Sequence, residues 1–111
     1  MRKAMVRYNN IDAGILKETD DGLYEFTYHE DFIKHHPDLF ISFQMPVNKQ
    51  TYSSRRLFPF FDGLIPEGWL LNIASNNWKI NKNDRMGLLL ACCKNTVGAV
   101  SVHPINENNH G

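Results

Sequence analysis

Residues 57–71 read LFPFFDGLIPEGWLL, and the reading of this stretch decides the fold. Large apolar side chains crowd around Pro66-Glu67-Gly68, which suits a packing unit of helices meeting at a turn better than a solvated catalytic loop. Residues 56–65 fit a short helix. Pro66 can open a second one, since its missing N–H costs nothing at a first helical position, and Glu67 favours the positive end of the helix dipole. At about 100° per residue, Leu70, Ile73, Ala74 and Trp78 form one apolar arc of a helix running to about residue 78. Trp69 falls at the edge of that arc, beside Asn72 and Asn76.

Working outward, the residues before this block alternate as strands do. Residues 4–8 and 11–17 are two short strands around the turn pair Asn9-Asn10. Asp21-Gly22 supplies the positive φ of a tight hairpin. In residues 23–28, Tyr24, Phe26 and Tyr28 face one way and Glu25 and Thr27 the other, the pattern of a half-buried strand. Residues 31–39 are expected to be an irregular or short helical connection broken by Pro37. A fourth strand is expected over 41–45, stopped by Pro46. After the block, a third helix starts at Asn83 or Asp84, either a good N-cap. It carries Met86, Leu88, Leu89 and Leu90, so it is buried, and Asn95 is placed to close it. Residues 97–103 are then a last strand ended by Pro104. The order strands, helices, strand implies an α+β fold: a curled, mainly antiparallel sheet of about five strands with two to three packed helices. The expected organisation is one domain over residues 1–105 and a flexible tail over 106–111.

The chain has 111 residues, enough for a core without covalent staples, and 42% of them are hydrophobic. Twelve basic residues balance twelve acidic ones, which removes the electrostatic footprint of an autonomous nucleic-acid binder and of an anionic-membrane binder. The start, MRKAMVRYNN, has no apolar signal region, and no apolar run is long enough to span a bilayer. Cys92 and Cys93 are neighbours on a helix, pointing apart, which excludes a mutual structural disulfide or a CxxC metal site. They read as reduced thiols of a cytoplasmic protein.

The same residues carry a family resemblance. Gly14-Ile15-Leu16, Phe26-Thr27-Tyr28, Ser42-Phe43-Gln44-Met45-Pro46 and, above all, Leu57, Phe60, Phe61, Leu64, Ile65, Pro66, Glu67 and Gly68 resemble the N-terminal subdomain of HipA-type serine/threonine toxin kinases. The likeness spans nearly the whole chain. Val97-Gly98-Ala99 keeps part of a later family motif, while Cys93 and Asn95 stand where Gly and Asp are frequent. No Gly-rich phosphate loop, His-Arg-Asp-like or Asp-Phe-Gly-like segment occurs. Phosphoryl transfer needs such parts together, so the chain by itself is not expected to be an enzyme or to carry a cofactor.

The resemblance implies a stand-alone small subunit, as in tripartite HipB/HipS/HipT toxin–antitoxin systems. Such a subunit binds and neutralises a HipT/HipA-like kinase, with a HipB-like DNA-binding protein in the same complex and no membrane or direct nucleic-acid contact. Alternatives of other classes are a subunit that completes and activates the kinase, and a DNA-binding or autoregulatory component. Trp69, at the rim of its helix and of a type frequent among binding hot spots, is the leading partner-binding residue. Glu67, Gly68, Asp62, Asn72 and Asn76 flank it, although capping and turn chemistry suit Asp62, Glu67 and Gly68 better than partner contact does. His29, His35 and His36 lie near Glu30, Asp31 and Asp38, but no second pair has zinc-ligand spacing, and no metal is expected. Ser53 and Ser54 read as a solvated loop with an N-cap. Lys49, Arg55 and Arg56 form the one basic cluster, which reads as a solvated loop, with DNA contact in a larger complex or pairing with acidic kinase residues as alternatives.

Overall fold

A computed structural model describes residues 1–65, 72, 76–77, 79–94 and 98–105. Strand β1 (Arg2–Tyr8) pairs with β2 (Ile11–Glu18), β2 with β3 (Tyr24–Tyr28), and β3 with β4 (Tyr52–Ser54), all antiparallel. Strand β5 (Val100–Ile105) lies antiparallel on the other side of β1, giving an open sheet of order β4-β3-β2-β1-β5. Three helices are described: α1 (Glu30–His35), α2 (Pro59–Asp62) and α3 (Arg85–Cys92).

The turns follow the local chemistry. Asn9 and Asn10 both take positive φ, 49° and 68°, as a tight hairpin requires and as Asn tolerates. Gly22 has φ 85°, and its N–H closes onto Thr19 at 3.0 Å. A register shift after Val6 leaves Ala13 without an opposite residue, since Val6 faces Gly14 and Arg7 faces Asp12. The Ala13 carbonyl instead accepts from His29 N–H at 2.9 Å, joining the bulge to the start of α1.

One sheet face carries Ala4, Val6, Leu16, Phe26, Tyr28, Val100 and Val102, all buried. Phe32 of α1, Phe61 of α2 and Met86, Leu88 and Leu89 of α3 join it in a single core. Phe26 meets Tyr28 edge-on at 4.8 Å and Phe61 at 5.8 Å. Full burial of each such side chain stabilises the fold by about 1.5–3 kcal/mol. On the opposite face, cross-strand pairs Arg7–Asp12 (2.8 Å) and Lys17–Glu25 (3.3 Å) give the polar pattern of a sheet with one solvated side.

Several expectations are corrected. Residues 41–45 are not a strand of the sheet; Ser42 and Met45 make only an isolated bridge with one another. The buried Tyr28 hydroxyl organises this loop by donating to the Met45 carbonyl and accepting the Ile41 N–H (3.2 Å). The fourth strand is Tyr52–Ser54 instead, so Ser53 and Ser54 are strand residues, not a loop. The helix expected over 56–65 shrinks to Pro59–Asp62. Proline disfavours the α conformation in the residue before it, and Phe58 accordingly sits at φ −54°, ψ 136°. Pro104 does not end the last strand; it lies inside β5, opposite Ala4. An edge strand tolerates a residue without an N–H.

Helix α3 starts as its sequence implies, with Asp84 as N-cap accepting from Gly87 N–H at 3.1 Å. It ends at Cys92, with Cys93 as C-cap; Asn95, proposed as its closing residue, lies outside the described residues. Also outside them lie Trp78, most of the helix expected after Pro66, and the tail over 106–111.

Candidate functional site: the α2–α3 corner

Of the residues singled out for partner binding, Glu67, Gly68 and Trp69 lie outside the described residues. Asn72 and Asn76 are helical and exposed, and Asp62 is the last residue of α2. The chain continues to turn after Asp62, with Leu64 N–H bonded to Phe61 O at 3.0 Å and Ile65 N–H to Asp62 O at 3.2 Å. Phe58, Phe61 and Ile65 are buried, as expected for this apolar block, while Phe60 and Leu64 are partly covered. The Asp62 carboxylate is neither free nor a helix cap. Its Oδ1 accepts from Arg85 Nε at 2.6 Å, clipping α2 to the first turn of α3.

Beside this clip is an open groove of about 500 Å³. Arg55, Arg56 and Arg85 line it together with Asp62, Tyr24 and the apolar Leu57 and Pro59. Arg55 and Arg56 are exposed, and their side chains have no partner among the described residues. Arg85 spends only its Nε on Asp62, so the outer guanidinium N–H groups stay available to a ligand. Among the described residues, three guanidiniums line the groove against one carboxylate, which makes it positive.

An ionic network borders it. Arg2 forks between two carboxylates, reaching Glu18 at 2.6 and 3.0 Å and Asp84 at 3.0 and 2.8 Å. The Tyr24 hydroxyl donates to Glu18 at 3.3 Å. Hydrogen bonding from Arg2, and then from Gly87 N–H, holds the Asp84 carboxyl below its usual range against the opposing effect of burial. Burial, aided by Glu18, pushes the Tyr24 phenol upward, so it remains a neutral donor. A methyl group on Gly87 would overlap an Asp84 carboxylate oxygen and push that carboxylate out of its contacts with the helix start and Arg2. The arginine pair of the groove was legible in the sequence. Arg85 and Tyr24 were not, since only folding brings them to Arg55.

A second exposed feature escaped the sequence reading altogether. Phe43 is 88% exposed at the tip of the loop after α1. Its ring lies 4.9 Å from that of Phe40, which is itself exposed. The alternating pattern of 41–45 had suggested a strand, which hid this pair.

His29 lies apart from His35 and His36, whose rings are 6.5 Å from each other. His29 Nε2 is 3.3 Å from Met5 Sδ, His35 Nδ1 is 2.9 Å from Asp31 O, and the His36 ring packs 5.3 Å from Phe32. Among the described residues, no three His, Cys, Asp or Glu side chains converge as metal ligands. Cys93 is buried and Cys92 partly so, both free. Burial, with a smaller effect of Cys92, pushes the Cys93 thiol up to about 12, and its Sγ lies 3.5 Å from the Leu64 carbonyl as a weak donor. A protonated, covered thiol of this kind is inert. No helix among the described residues is long and apolar enough to cross a membrane.

Comparison with known proteins places this geometry. The HipA N-terminal domain family matches residues 4–103. An uncharacterized protein of Haemophilus influenzae (strain ATCC 51907 / DSM 11121 / KW20 / Rd) is 32% identical over 89 residues, which are 80% of this chain and 79% of that protein. A solved structure, the N-terminal domain of HipA toxin, superposes with a TM-score of 0.73 at 26% identity, covering 96% of this chain and 95% of that one. The five-stranded antiparallel sheet with its helices, and the match over nearly all of its length, make this chain a member of the HipA N-terminal domain family.

Proposed function

We propose that this chain is an antitoxin-like partner that binds a HipA- or HipT-type serine/threonine kinase and restrains it, acting in the bacterial cytoplasm and without catalysis of its own. The observation that carries the proposal is the extent of the relatives. The family match runs over residues 4–103, and the matched H. influenzae protein has almost the same length as this chain. The family's N-terminal domain is thus found in a protein about as long as the domain alone. A kinase needs a nucleotide cradle, metal ligands and a base on a larger scaffold, so a protein of that size acts through contact.

The surface supports contact as well. An exposed aromatic pair, Phe40 and Phe43, and a positive groove at the α2–α3 corner are unspent by the fold, and aromatic and arginine side chains dominate binding hot spots. A HipB-like DNA-binding protein belongs to the same assembly in this reading.

Purified kinase core is mixed with the full chain, and both binding and phosphoryl transfer to a substrate protein are followed. The expected result is a stable complex and a loss of kinase activity on titration, with rescue of growth on co-expression. Higher activity with the chain present would instead identify a subunit that completes the kinase, and absence of a complex would end the proposal.

A further inference from the structure

We infer that the groove lined by Arg55, Arg56 and Arg85 is the docking site for an acidic protein segment, a pair of closely spaced carboxylates on the partner. The inference rests on the kinase-binding reading and specifies the chemistry of one contact in it. Its basis is what each group in the groove has left to give. The Asp62 carboxylate accepts Arg85 Nε at 2.6 Å, fixing the guanidinium and leaving its outer N–H groups free to fork onto a carboxylate. Arg55 and Arg56 are exposed, line the same groove and have no partner among the described residues. Among the described residues, two positive charges without a matching carboxylate at one place stand out in a chain whose formal net charge is zero.

Charge around the groove selects the kind of anion. Glu18 is hydrogen-bonded to the groove residue Tyr24, and Asp84 precedes Arg85 in the chain; both carboxylates are held by Arg2. A nucleic-acid backbone carries closely spaced phosphates along its whole length and would bring several of them near these acidic groups. A short acidic segment does not. Leu57 and Pro59 add an apolar wall for the aliphatic parts of such a segment.

Nuclear magnetic resonance titrations of the full chain test this with three probes: a Glu-rich decapeptide, its Gln counterpart, and a double-stranded DNA duplex. The Glu peptide is expected to shift the side-chain Nε–H signals of Arg55, Arg56 and Arg85, with the Gln peptide weaker. Arg55→Gln/Arg56→Gln, at exposed positions, should bind the Glu peptide about tenfold less tightly, which is about 1.4 kcal/mol. No shift at these arginines, equal shifts from the Gln peptide, or tighter binding of the duplex overturns the inference. The double variant is then measured against the kinase. An affinity lowered about tenfold supports the groove, whereas an unchanged one overturns it and leaves the kinase-binding reading standing. Failure of the wild-type chain to bind the kinase removes that reading instead, and the peptide titration then decides the groove by itself.

Discussion

Tyr28 shows how one side chain links the core to the surface. Its ring stacks on Phe32 at 5.8 Å and meets Phe26 edge-on, while its hydroxyl satisfies the Ile41 N–H and the Met45 carbonyl across the loop that carries Phe43. Burial pushes the Tyr28 phenol upward, so it stays protonated and able to donate. Tyr28→Phe keeps the rings but strands a buried donor and a buried acceptor. The expected cost is about 1–3 kcal/mol, read as a lower urea midpoint with an unchanged slope, with faster hydrogen exchange at Ile41. The burial of Tyr28 was legible from the alternation of residues 23–28. The tasks of its hydroxyl were not, because both partners lie beyond an intervening helix.

At the level of elements, short pieces are held by contacts between them. Helix α2 has only four residues, too few to be stable by itself. Phe61 in the core and the Asp62–Arg85 clip hold it in place. Helix α3 is tied to the first hairpin through Asp84, which caps the helix and accepts from Arg2 at once. Asp84→Ala is expected to lose about 0.5–2 kcal/mol from the cap, with a further loss from the Arg2 contact to Asp84, Arg2 keeping its bonds to Glu18. The pH dependence follows from the depressed carboxyl. The unfolded-state carboxyl titrates near pH 4, so the Asp84 contribution is present in full above that value. It is lost as pH falls through the lower folded-state value. Wild-type and Asp84→Ala midpoints should therefore differ at pH 7 and converge toward pH 2, as urea titrations across that range would show. The N-cap was readable from residues 83 and 84, since capping is local. Arg2 was not, as it reaches Asp84 from the other end of the chain.

Across the whole molecule, the sheet spends one face on the core and the fold leaves Phe43 and the arginine groove in solvent. Phe43→Ser is expected to change stability by less than about 0.5 kcal/mol, as a surface substitution does. If the exposed aromatic pair anchors the kinase, the same change lowers affinity for it by about tenfold, and a calorimetric titration beside a urea melt separates the two effects. The sequence determined what depends on near neighbours: the Asn9-Asn10 and Asp21-Gly22 turns, the alternating strands, the Asp84 cap, and an apolar 57–65 block with Phe58 and Phe61 inside. Through its motifs it also identified the family. The tertiary structure decided the matters that depend on distant partners. It chose Tyr52–Ser54 over 41–45 as the fourth strand, because strand pairing needs a neighbour that alternation alone does not name. It joined Asp62 to Arg85 in a clip between residues 23 positions apart. It also gathered Arg55, Arg56 and Arg85 into one groove beside the apolar 57–65 block.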